Sequence, residues 1–377
     1  MAKLNPKNER TKRDYLRWLK EAKGKSDASL DATRKALARF EASTGAKDFA
    51  TFRREQAVSF KERLAETDAH RTGEPLSAAT QTATLTALRD FFVWLAWQPG
   101  FKSKIGRADV DYLTPSRRDA ARAKAPKHRD FPSLEQVRAA IAAVPTDTVL
   151  NRRTRALLAF LILTGIRDGA LVSLTLGDVD LTKNPPVVRQ DPNRIDTKFA
   201  KAIVTFFFPV GDDFVAIVSE WVDELRRVHL SGPTDPLFPR TRVAVAGDGM
   251  FAAEGIDRAP WSNASPVRDA CGKAFTAAGL PTFPPHAFRH TLGHLAHTMC
   301  RTGEELKAWS QNLGHDNIAT TLTSYGHIDP HRQGAVLGRM AAVNAPDNED
   351  PLDAIDAILA RRRCLGGRRT IDRARTV

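Results

Sequence analysis

Apolar positions in the first third of the chain recur at intervals of three and four, the spacing of one buried helical face. The clearest case is TQTATLTALRDFFVWLAW, where Leu85, Leu88, Phe92 and Leu95 form the stripe. This helix starts after Ser77 and is stopped by Pro99-Gly100. An earlier helix runs from Ser29, as N-cap, to about Thr44, with Gly45 as its stop. Another covers Arg54–Glu66. The first ~110 residues therefore read as a small helical bundle. Its aromatic residues Phe91, Phe92, Trp94 and Trp97 fit a core better than a base-stacking platform.

The pattern restarts at Phe131-Pro132-Ser133. Ser133 followed by Gln136 is a capping box for the helix LEQVRAAIAAV. A buried helix follows over Arg152–Leu163, ending in Thr164-Gly165. Short β-like runs come next at Asp178–Leu181, Val187–Gln190 and Ile203–Val210. Helices are then expected at Phe214–Val228, at Pro266–Ala278 with Ser265 as N-cap and Gly279 as stop, at His286–Met299 and at Glu304–Leu313. The second part is thus mainly helical with one small antiparallel sheet. The longest apolar stretch, Ala156–Leu163, falls well short of the ~20 residues that cross a bilayer. Beyond it an apolar helix, Leu352–Leu359, precedes a run holding Arg361, Arg362, Arg363, Arg368 and Arg369. There are no internal repeats.

Charge divides the chain in the same place. Its 377 residues carry a net +13. Residues 1–130 hold 28 Lys/Arg against 17 Asp/Glu, whereas residues 131–343 hold 22 against 21. A polyanion such as nucleic acid is the first partner this suggests, against the plainer reading of an Arg-rich soluble protein. Between the two blocks, TPSRRDAARAKAPKHRD (114–130) has six Lys/Arg, two Pro and no Leu, Ile, Val or Phe. It reads either as a solvated charge run or as a linker strapped along a phosphate backbone, with Arg117, Arg118, Arg122 and Lys124 as contacts. The organisation expected is 1–113, linker 114–130, 131–343 and a basic tail 344–377. Three scattered cysteines, Cys271, Cys300 and Cys364, make neither a disulfide framework nor a zinc site and suggest a reducing cytosol. The start MAKLNPKNERTKRDY lacks the apolar core of a signal peptide.

Four separated pieces carry candidate chemistry. In LLAFLILTGIRDGALVSL, a buried helix ends and presents Arg167, which alone could be a surface arginine. In DTKFAKAIVTFFFP, Lys198 and Lys201 sit where two strands should join. In PPHAFRHTLGHLAH, His286 and Arg289 share a helical face. His290 and His294 have the spacing of a metal pair, but there is no HExxH and no acidic residue between them. In LGHDNIATTLTSYGHI, His315 precedes Tyr325 by ten residues. The chain has only three tyrosines, Tyr15, Tyr112 and Tyr325, and only the last lies in the second part.

In order and spacing these pieces resemble the tyrosine site-specific recombinase (phage integrase) family. Arg167 in LTGIR resembles the family's first arginine, His286 and Arg289 in HAFRH its H-x-x-R box, His315 in LGH its second histidine and Tyr325 its nucleophile. TKFAK resembles the family's TKTGK run, which favours Lys198 as its lysine and leaves Lys201 as a DNA contact. Two features depart from the pattern. The interval from His315 to Tyr325 is one residue longer than usual, and Ala170 stands where an acidic residue is common, with Asp168 adjacent to Arg167 instead.

The resemblance implies a helical core-binding domain at 1–113 and a mixed α+β catalytic domain at 131–343. It also implies cleavage through a 3′-phosphotyrosyl bond without metal, ATP or other cofactor. Partners would be double-stranded recombination sites, bound as a homo-tetramer that passes through a Holliday junction, with accessory DNA-bending proteins left open. The setting would be the cytoplasm, at the nucleoid and not at a membrane. The chemistry is consistent with the residues: two arginines offer preorganised donors to the charge that builds on the phosphate. A phenol needs cationic surroundings to attack, and the departing 5′-oxygen needs a proton, which a lysine can give. Two other readings use the same features: a type IB topoisomerase-like enzyme relaxing supercoils, and a non-catalytic DNA-binding relative.

Overall fold

The structure is a computed structural model that describes residues 4–67, 73–125, 130–195, 202–245 and 249–315, with 317, 333–335, 337 and 338 beyond them. The chain separates into two compact units, Met1–His128 and Arg129–Val377.

The first unit is all helical among its described residues. Helix α1 covers Pro6–Glu21, α2 Asp27–Thr44, α3 Arg54–Glu66 and α4 Ala78–Leu95. Two shorter helices follow, α5 (Arg107–Asp111) and α6 (Arg117–Lys124). Ser77 caps α4 as expected, its hydroxyl accepting from Thr80 N–H. Helix α2 starts earlier than expected, because Ser26 rather than Ser29 supplies the cap. Gly45 stops it in the left-handed conformation, at φ 64°. Leu37, Leu88, Phe91, Phe92 and Leu95 are fully buried. Phe92 stacks on Phe52 at 4.0 Å between ring centres. The expected aromatic core therefore holds for Phe91 and Phe92, with Trp94 partly buried against it, while Trp97 is exposed.

Residues 117–124, read from sequence as part of a linker, are instead helical and lie against α4. Ser116 caps them by accepting from Asp119 N–H at 3.1 Å. The run has helix-favouring Ala, Arg and Lys but no large apolar residue, so its periodicity is silent.

The second unit is built around a buried helix. Helix α7 covers Leu134–Ala142 and carries the expected Ser133/Gln136 capping box. Helix α8 covers Val149–Thr164, and each residue from Ala156 to Leu163 is fully buried. A short helix α9, Asp168–Leu171, follows. Strands β1 (Val179–Asp180), β2 (Val187–Gln190) and β3 (Ile203–Phe206) form an antiparallel sheet in that order. Pairing of Gln190 with Ile203 and Val187 with Phe206 makes β2 and β3 a hairpin, with β3 outermost. Helix α10 covers Asp212–Arg227.

A second sheet lies where none is expected from sequence: β4 (Thr241–Val245) pairs antiparallel with β5 (Phe251–Ile256). Val243, Val245 and Phe251 are exposed. With no buried face, the hairpin has no in–out alternation to read. Its root is held by Arg153 of α8, which donates to Pro239 O at 2.6 Å and to Thr241 Oγ1 at 3.0 Å. Arg153 also lies 4.8 Å from the Trp261 ring centre. Burial lowers its pKa to about 10, so it stays charged at neutral pH.

Helix α11 covers Ser265–Ala277, α12 Pro285–Met299 and α13 Gly303–Asn312. Ser265 lies inside α11 rather than capping it, and Pro266 occupies its first turn. Among the described residues no helix is long and apolar enough to cross a membrane.

Candidate active site

Three chain segments meet at Gly165. This residue ends α8 in the left-handed conformation, at φ 57°, and its N–H bonds to Leu161 O. Glycine is required here for two reasons. The backbone conformation disfavours a side chain, and an added Cβ would sit 2.8 Å from Leu292 Cδ1 of α12 and 3.0 Å from Leu313 Cδ2, just past α13. The close approach places the Gly165 carbonyl on the Arg289 guanidinium.

Arg289, on α12, is 3% exposed. Its Nη1 donates to Gly165 O. Its Nη2 donates to Leu313 O at 2.7 Å and lies 3.3 Å from His315 Nε2. A guanidinium has donors only, so in this pair Nε2 accepts and the ring proton is assigned to Nδ1. One arginine thus ties the end of α8 to the Leu-Gly-His turn. That turn is shaped by Gly314, at φ 69°, and by a bond from His315 N–H to Ser310 O at 3.1 Å.

Arg167 follows Gly165 by two residues, at the N-cap of α9. It is partly exposed; its backbone carbonyl accepts from Leu171 N–H at 2.9 Å, while its side chain has no hydrogen bond or ion pair to another described residue. Its neighbour Asp168 accepts from Arg268 of α11, at 2.9 Å from Nε and 2.7 Å from Nη2. Asp168 is therefore engaged with α11. His286 lies one turn before Arg289 and is exposed. Its ring meets His290 edge-on at 5.0 Å between centres. Both line a groove of about 580 Å³ with Phe131, Phe283 and Pro284. Helix α12 is pinned to the beginning of the unit by Thr291, whose hydroxyl donates to Pro132 O at 2.6 Å.

The structure thus brings Arg289 and His315 into contact, with Arg167 leaving the same α8 terminus and His286 on the same helix as Arg289. Lys198, Lys201 and Tyr325 lie outside the described residues, as does the expected tail helix. Of the expected DNA contacts, Arg117, Arg118 and Arg122 are exposed on α6. Lys124 ends that helix. What sequence reasoning missed is the backbone part of the site: the carbonyls of Gly165 and Leu313 as arginine acceptors. LTG and LGH did mark both glycine turns, without indicating that they meet.

The family model described as "Phage integrase family" matches residues 133–332. Among curated relatives, the tyrosine recombinase XerC of Xylella fastidiosa (strain 9a5c) is 28% identical over 322 residues, covering 84% of this chain and 91% of that protein. The XerC of Bifidobacterium longum (strain DJO10A) is 28% identical over 183 residues. That match spans 48% of this chain and 45% of the relative, so the chain covers under half of the latter's length. Among solved structures, a lambda integrase dimer bound to a COC′ core site is 15% identical, with a TM-score of 0.56 over 86% of this chain and 77% of that one. XerH bound to a palindromic difH substrate is 16% identical, with a TM-score of 0.53 over 86% of this chain and 83% of that one. At these identities the likeness is one of fold.

Proposed function

The chain belongs to the phage integrase family, and from that premise we propose that it is a site-specific DNA recombinase that cuts and rejoins DNA through a phosphotyrosyl intermediate. The observation that carries the proposal is the Arg289 guanidinium, buried, held by Gly165 O and Leu313 O and beside His315 Nε2. Such a fixed cation is suited to a phosphate whose charge grows in the transition state.

Tyr325 gives up its phenolic proton to solvent, its Oη attacks the phosphorus and the bond to the 5′-oxygen breaks, leaving a 3′-phosphotyrosyl link. Arg167 and Arg289 take the non-bridging oxygens. His315 supports them from the side of Arg289, and His286 borders the site from the α12 N-terminus. Lys198 gives the 5′-oxygen its proton, and Lys201 serves as a phosphate contact. A 5′-hydroxyl on a second duplex reverses the step. The link keeps the phosphodiester energy, so ATP has no part. Exchange between two duplexes requires a tetramer of this chain on paired sites, and α6 with Lys124 adds contacts to the DNA backbone.

The test is recovery of protein–DNA adducts from cells making the wild-type chain or Tyr325→Phe, with sequencing of the attached ends. Adducts at one short shared sequence, absent with Tyr325→Phe, are expected. Adducts that persist in the Phe variant, or ends scattered without a shared sequence, would overturn the proposal.

A further inference from the structure

Strand β3 is an outer strand of its sheet among the described residues, so one of its edges presents backbone groups that no described strand pairs. At Phe206 the side chain of Asn312 takes both. Phe206 N–H donates to Asn312 Oδ1 at 2.7 Å, and Asn312 Nδ2 donates to Phe206 O at 2.8 Å. A carboxamide carries a donor and an acceptor with the spacing of a peptide group, so it can stand in for one residue of a neighbouring strand. One residue back, Thr205 Oγ1 donates to the backbone carbonyl of Asn312 at 3.3 Å. At the start of the strand, Ile203 lies against Gly314, where an added Cβ would be 3.5 Å from Ile203 Cδ1. From 203 to 206, then, β3 is fastened to residues 312–314.

The two things joined here have different tasks. His315 follows Gly314 directly, beside Arg289. Lys201 and Lys198 precede Ile203 by two and five residues in the sequence. One side serves the non-bridging phosphate oxygens and the other the leaving 5′-oxygen, so their separation must match the geometry of one phosphodiester. We propose that Asn312 is the positioning residue for this separation, holding β3, the strand that Lys198 and Lys201 precede in sequence, in register with the His315 turn. Asn312 acts through β3, which its side chain and its carbonyl bind. The inference rests on the recombinase reading above, and on a lysine of the hairpin as proton donor.

A purely structural role and a positioning role part company on a substrate in which sulfur replaces the bridging 5′-oxygen, because a thiolate leaves with little need of a proton. The experiment uses the full chain and the DNA sequence recovered from the adducts, and compares single-turnover cleavage at saturating protein on the oxygen and sulfur duplexes. Asn312→Ala should slow cleavage of ordinary DNA by on the order of 10²-fold, the loss that a misplacement of about 1 Å can cause. It should return to within about threefold of wild type on the sulfur duplex, with DNA affinity unchanged. Equal slowing on both substrates, or no slowing on either, would overturn the inference. If Asn312→Ala does not fold, Asn312→Asp, which keeps the acceptor and loses the donor, is read by the same criteria. Lys198→Ala and Lys201→Ala are run beside it. If neither is rescued by sulfur, the proton-donor reading fails, whatever Asn312 does. If one is rescued and the Asn312 variants are not, the reading stands and the positioning role falls.

Discussion

Replacing Gly165 with alanine adds one methyl group at the point where α8, α12 and the turn after α13 converge. Two costs follow. The residue sits at φ 57°, where an L side chain costs about 1–2 kcal/mol. The new Cβ also meets Leu292 Cδ1 at 2.8 Å and Leu313 Cδ2 at 3.0 Å, with Arg289 Cγ at 3.4 Å. Leu292 and Leu313 are themselves buried, so neither end can swing aside freely, and overpacking of this kind costs about 1–3 kcal/mol. The sum, about 2–5 kcal/mol, lowers the melting temperature of a unit this size by about 4–20 °C. Gly279 is the control. It has φ 68° and nothing within 4 Å of an added Cβ, so Gly279→Ala carries the backbone cost alone. Calorimetry of both variants isolates the steric part. Cleavage should separate them further, because only Gly165→Ala pushes on the carbonyl that holds Arg289, and a shift of about 1 Å there can cost on the order of 10²-fold. If Gly165→Ala melts within about 2 °C of Gly279→Ala and cleaves at the wild-type rate, the convergence does not position the arginine.

Arg167→Ala should slow cleavage by about 10²–10³-fold, like the loss of one oxyanion donor, while melting changes little, since the Arg167 side chain is bonded to no other described residue; a loss of DNA affinity matching the loss of rate would place it in ground-state binding instead. Changing Arg117, Arg118 and Arg122 to Gln should flatten the salt dependence of DNA binding by about one unit of slope for each phosphate left without its arginine, measured by titration across salt concentrations; an unchanged slope would remove α6 from the DNA. Deleting residues 346–377 should spare single-site cleavage and cut recombination between paired sites; joint loss of cleavage and thermal stability would assign the tail to its own subunit.

Elements with a buried stripe or an explicit cap were legible in the sequence: α3 has the expected bounds, and Ser77 and Ser133 cap the helices assigned to them. Elements lacking an apolar contrast were not. Helix α6 is charged along its length, and the β4–β5 hairpin is exposed along most of both strands, so neither has a period tied to a core. The site divides in the same way. Arg167, His286, Arg289 and His315 stand out because side-chain chemistry is written in the residue types. The grip on Arg289 does not, because its acceptors are carbonyls, which every residue carries. Asn312 was equally silent: an asparagine at a helix end is ordinary, and only the unpaired edge of β3 gives it a task.

How the second unit treats its arginines bears on the proposed phosphate site. Residues 131–343 are almost neutral, 22 basic against 21 acidic, so attraction for an anion must come from particular groups and not from the unit's overall field. Several of its arginines are spent on carboxylates: Arg138 on Asp213, Arg152 on Glu224, Arg194 on Asp178 and Arg240 on Asp257. Arg268 takes Asp168, the acidic group next to Arg167 in sequence. Arg289 is oriented by two carbonyl oxygens. A carbonyl dipole fixes the direction of a guanidinium without cancelling its charge, whereas a carboxylate does both. Arg167 lies beside an aspartate already engaged by α11. In the proposed reaction, preorganised cations at the α8 terminus would meet the charge that builds on the phosphate, with Arg289 oriented by backbone carbonyls.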